Sequence, residues 1–92
     1  MTQVQLGQIV TTAGVAEWID GSQPQSIEIA RAVWRHRSRD WGDVCREDWT
    51  ANDEALRGGG RLHSSYKVGG REIWIITESD RSVTTVLFPE EY

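Results

Sequence analysis

Cys45, His36 and His63 are the residues of this chain best suited to act as nucleophile, base or metal ligand, and Asp40, Asp43 and Asp80 add carboxylates. A thiol beside an imidazole could form an activated nucleophile, and two carboxylates could share acid and base duties. The spacing argues for neither. The chain contains no C-x-x-C, H-x-x-x-H or H-E-x-x-H, and one cysteine with two distant histidines is a poor donor set for a metal. Cys45 reads instead as a small buried hydrophobe near a helix start, and Asp40 and Asp43 as caps there. "GGGRLH" lacks the Walker spacing and leads into a strand, so it reads as a connection rather than a phosphate cradle. No metal and no cofactor is expected. An enzymatic alternative, such as a small toxin, would draw on Asp43, His63 or Asp80.

Binding chemistry is better represented. Arg35, Arg37 and Arg39 alternate with other residues between Trp34 and Trp41, as cations and aromatics do in single-strand nucleic-acid grooves. Six acids between Asp40 and Glu54 follow at once. An internal ion-pair network between two helices is the favoured reading, with the outermost arginines left for an acidic protein partner. The whole chain carries 14 acids against 10 bases, a net charge of −4. Such a surface attracts duplex DNA poorly, and its interspersed bases make it a poor DNA mimic. A single cysteine excludes an intrachain disulfide and suits a reducing compartment. With no signal-peptide pattern and no long apolar run, a cytoplasmic location and no membrane are expected.

Ninety-two residues suit one domain, 1–92, with five tryptophans enlarging its core. Ile9 and Val10 form a short apolar pair, either a strand or an extended arm. Thr11 or Thr12 can cap a short helix through Ile19, which Gly21 stops. Ser22 and Gln25 stand at capping-box spacing around Pro24. In the helix that follows, Ile27, Ala30, Val33 and Trp34 fall at helical intervals and are expected to face the core. It should end near His36 to Arg39, where cations suit the dipole. A third helix follows over "CREDWTANDEALR", with Trp49 and Leu56 inward. After "GGG" the period becomes two: Leu62, Ser64, Tyr66 and Val68 alternate with polar residues, and Gly69-Gly70 signals a hairpin. "EIWIITE" reads as a central strand, and "VTTVLF" as the last before Pro89. The expected fold is α+β: three short N-terminal helices followed by a three-stranded antiparallel β-meander. One sheet face, with Trp74 and Ile76, would then lack helical cover and is the candidate surface for self-association as a homodimer.

"LGQIVTTAGV", "DWGDVCREDWTANDEAL", "GGRLHSSY" and "IWIITESDRSVTTVLFPEEY" together resemble a family of small bacterial proteins found on plasmids and other mobile elements. Some of its members carry type I restriction–modification labels. The likeness runs from Leu6 to Tyr92 and brings no catalytic residues with it. The basic run "RAVWRHRSR" departs from the family pattern, whose common positions gather at Asp80-Arg81-Ser82 and Glu90-Glu91-Tyr92. Arg81 would bridge Asp80 or Glu78, and Tyr92 would pack on the sheet. The resemblance implies a non-enzymatic inhibitor or modulator of a host defence complex, of anti-CRISPR or anti-restriction type. Its partner would be a defence protein or nucleoprotein, met through Arg35, Arg37, Arg39, Trp41, Asp80 and Arg81. A small nucleic-acid-binding regulator using the Arg/Trp segment is the alternative.

Overall fold

The computed structural model describes residues 3–92. In chain order the elements are β1 (Gln8–Thr11), α1 (Ala13–Ile19), α2 (Gln23–Arg37), α3 (Arg46–Gly58), β2 (Leu62–Val68), β3 (Arg71–Thr77) and β4 (Val83–Leu87), with a final 3₁₀ turn at Pro89–Glu91. The α+β class is as expected, but the sheet has four strands and is mixed, in the order β1-β4-β3-β2. The apolar pair Ile9-Val10 accounts for the difference. It lies parallel to β4, with the Gln8 N–H donating to Ser82 O (3.0 Å) and the Thr12 N–H to Val86 O (3.1 Å). β2, β3 and β4 form the antiparallel meander, with Gly69 and Gly70 both at positive φ in the first turn. Among the described residues no helix is long and apolar enough to cross a membrane.

Helix ends follow local chemistry in part. Thr12 caps α1 by accepting the Val15 N–H. Pro24 lies in the first turn of α2, but Ser22 makes no side-chain cap bond, so the expected capping box does not form. Cys45 is the N-cap of α3 and is exposed, not buried. Its thiol has no core to join because α3 turns inward only from Trp49 onward.

The buried face of α2 differs from expectation. Ile29, Ala32 and His36 are buried, with Val33 half-buried, while Ile27, Ala30 and Trp34 face solvent. Both stripes recur at helical spacing, so periodicity alone could not choose between them. The sheet beneath decides the matter by offering hydroxyls to His36. His36 Nε2 meets Thr77 Oγ1 (2.8 Å), which meets Thr84 Oγ1 (2.7 Å), which donates to Leu6 O (2.7 Å). On the other side of the ring, Nδ1 meets Ser64 Oγ (2.5 Å). A carbonyl can only accept, and with a neutral ring that fixes the whole chain of protons. Thr84 donates to Leu6, Thr77 to Thr84, and the His36 Nε2–H to Thr77, leaving Nδ1 to accept from Ser64. Burial lowers the His36 pKa to about 4, so at pH 7 the imidazole is neutral and both ring nitrogens are satisfied. This polar row separates two apolar clusters, one around Val15, Ile73, Ile75, Val86 and Phe88, the other around Val4, Leu6, Trp41 and Leu62.

The β2 edge is closed by two devices. Ser65 donates to Trp41 O (3.2 Å) and accepts from the Asp43 N–H (2.7 Å), a bridge at Gly42. Gly42 has φ +76°, and a Cβ there would run into the Ser65 carbonyl and the Tyr66 ring. One step along, the Asn52 amide imitates a neighbouring strand: Nδ2 donates to His63 O (2.8 Å) and Oδ1 accepts the His63 N–H (3.1 Å). Asn52→Ala is expected to remove both bonds and cost about 1–3 kcal/mol. A fall in the urea midpoint at unchanged slope would report it.

Candidate functional site

The basic segment is divided by the fold. Arg35 turns inward: its Nε lies 2.8 Å from Asp40 Oδ2 and its Nη2 3.3 Å from Oδ1, while its guanidinium sits 4.7 Å from the Tyr66 ring centre. The Tyr66 hydroxyl completes the corner by donating to Asp40 O (2.6 Å). The hydrogen bond to Arg35 holds the Asp40 carboxyl below its usual range, and the same bond raises Arg35. Both side chains remain about half exposed, so the pair contributes modestly to stability and mainly positions the end of α2.

Trp41, expected at a binding surface, is wholly buried. Its indole N–H donates to Asp53 Oδ1 (2.9 Å), and its ring meets His36 edge-on at 5.4 Å. Burial follows from the Gly42 bridge, which pins the adjoining residue over the sheet. Arg39 adopts φ +70° just beyond α2 and is half-buried. Arg81 is a staple. Its guanidinium donates to the carbonyls of Gly60, Ala55 and Glu78, tying the end of α3 to the β3–β4 turn. It meets the backbone of Glu78, not its carboxylate, which pairs with Arg61. Asp80 accepts from the Ser82 N–H and hydroxyl, and those bonds lower its pKa.

On the sheet face away from the helices, Ile76 is buried and Trp74 is half-buried. Trp74 lies between His63 (4.3 Å) and Tyr92 (5.6 Å), and its indole N–H donates to Glu72. The chain's own side chains thus cover much of this face, and Ile76 is not available to a second copy.

The outer face of α2 remains open. Ile27, Ala30, Arg31, Trp34 and Arg37 recur at i, i+3, i+4, i+7 and i+10, one side of a helix. Ile27 is 47% and Trp34 56% exposed, and the Arg37 guanidinium lies 5.6 Å from the Trp34 ring centre. Arg31 reaches back to Glu28 at 3.3 Å. An apolar ridge with a stacked tryptophan and a cationic border suits a groove carrying an apolar pocket and carboxylates. The sequence held the signal in a second helical stripe, Ile29-Ala32-His36, that could bury instead. A histidine at its end disguised it.

One arrangement does resemble catalytic hardware. Ser64 gives its proton to His36, the relation of an activated nucleophile to its base. Both residues have zero exposure, so no substrate reaches them. The pair is structural. Among the described residues, no three His, Cys, Asp or Glu are grouped to hold a metal ion. No family model matches the chain, and comparison with curated proteins and with solved structures returns no match.

Proposed function

We propose that this chain is a non-enzymatic protein-binding module that docks through the outer face of α2. Its partner is a subunit of a host defence complex, of CRISPR or restriction type, which it inhibits or modulates in the cytoplasm. The observation that carries the docking surface is Trp34, more than half exposed and stacked by Arg37 on a rigid helix. Tryptophan and arginine are the residue types that most often dominate binding energy, and a preformed helix presents them without a backbone ordering cost. The choice of partner rests on the resemblance to mobile-element proteins.

A photo-cross-linking residue in place of Ala30, with the same probe at Lys67 as the control, tests the reading in host cells. The expected adduct is a defence-complex subunit, trapped from position 30 and lost when Trp34→Ala is added. Adducts with nucleic acid alone would favour the regulator reading instead. That alternative draws on the same Arg37–Trp34 pair, and the net charge of −4 weighs against it. It further requires retardation of single-stranded DNA that weakens with salt and disappears in Arg37→Ala.

A further inference from the structure

The two edges of the sheet are finished differently. β2 is closed by Asn52 and the Gly42 bridge. β1 has no such cover among the described residues. Gln8 and Thr12 turn their N–H groups toward β4, so Val10 between them does the same, and the peptide groups of Ile9 and Thr11 point outward. Gln8, Ile9 and Thr11 are exposed, and Ile9 is 49% accessible. The run "GQIVTT" contains no charge and no proline. Charge, proline and bulges are the usual means of keeping an edge strand from pairing.

We infer that β1 is the interface with a second copy of this chain, paired antiparallel about a two-fold axis at Val10. The outward groups set the register. Ile9 of one copy and Thr11 of the second exchange N–H···O bonds in both directions, the symmetric pair does the same, and Val10 faces Val10 across the axis as a non-hydrogen-bonded pair. Charge supports the antiparallel sense. The Gly7 end of β1 borders a cavity of about 640 Å³ whose wall includes Arg37 and Arg81. The Thr12 end carries Glu91, whose Oε1 accepts the Thr12 hydroxyl at 2.7 Å and the Phe88 N–H at 2.8 Å. Its charge remains negative, beside the Arg71–Glu90 pair, which balances itself. In this register residue 12 of each copy lies opposite residue 8 of the other, which sets each Glu91 toward the cationic end of its neighbour. A parallel pairing would set like ends together. Asp80 lies near the same end, but its carboxylate is turned into its own loop by Ser82. The interface joins the two sheets into one.

Sedimentation velocity across a concentration series tests the association, and engineered cysteines test the register. The wild-type mass is expected to climb from 10.4 kDa toward twice that value, and Ile9→Lys should weaken the association about tenfold or more. In a Cys45→Ser background, Val10→Cys should form an interchain disulfide on oxidation with diamide. Facing cysteines in a non-hydrogen-bonded pair stand about 4.5 Å apart at Cα, within the range a disulfide accepts. Ile9→Cys should cross-link far less. The cross-linking result stands even if Ile9→Lys disturbs folding. A chain that sediments at 10.4 kDa at every concentration overturns the inference. So does a dimer that survives Ile9→Lys without cross-linking at position 10.

Discussion

Trp41→Ala is expected to destabilise the protein by about 3–5 kcal/mol, a large share of what a domain this size can hold. The residue has zero exposure and is the largest side chain of the cluster that includes Val4, Leu6 and Leu62, against which Trp49, Ala55 and Leu56 pack. Truncation would open a cavity where α3, the N-terminal segment and β2 meet. It would also strip the edge-on ring from His36 and leave Asp53 without its indole donor. Trp41→Phe keeps most of the volume and loses the N–H, so it should cost about 1–2 kcal/mol. Thermal unfolding separates the two, with a fall well above about 10 °C for alanine. Little change in Trp41→Ala would mean that the residue does not occupy the core.

Acid is expected to remove about 3 kcal/mol of stability through His36 as the pH falls from 6.5 to about 4. Burial lowers the His36 pKa from 6.5 to about 4, and the nearby His63 and Arg81 charges push the same way. Between those values the unfolded chain binds a proton that the folded chain refuses. Stability is therefore complete above pH 6.5 and declines as the pH falls toward 4. Burial supplies the reason. A protonated ring would carry its charge at a site with zero exposure. His63, lowered mainly by its own burial, adds a contribution of the same sign. Asp40, Glu72, Asp80 and Glu91 all have depressed pKa values, so their stabilising effect is lost only at lower pH, below about 4.5. Urea unfolding across this range should show a steep decline in the wild type and a shallower one in His36→Gln. Proton NMR should find His36 untitrated until near pH 4. A His36 that titrates near 6.5 would contradict the buried network.

Much of the scaffold was readable because its signals are local. Gly69-Gly70 marks a tight turn, Thr12 a cap, and the alternation from Leu62 to Val68 a strand, and each is used that way, although Ser65 on the second face of that strand is buried as well. The parallel pairing of β1 with β4 was not readable. It joins Gln8 to Val83, and nothing near Ile9 distinguishes a strand from an extended arm. The burial of α2 depended on hydroxyls from three distant strands, so a polar residue, His36, went inward while Ile27 and Trp34 stayed out. The same dependence divided the arginine-rich segment. Its pairing with the following acids was legible for Arg35 and Asp40, which lie close in sequence. That Trp41 would be core and Trp34 surface was not, because the Gly42 bridge to Ser65 decides it.

The account turns on Trp34 serving recognition rather than packing. Its most direct measurement is the yield of the subunit cross-linked from position 30 in wild type and in Trp34→Ala, with the melting temperature of each. The expected result is a loss of capture of about tenfold or more with an unchanged melting temperature, since the ring is 56% exposed. Undiminished capture, or a loss that merely tracks a large fall in melting temperature, would contradict it.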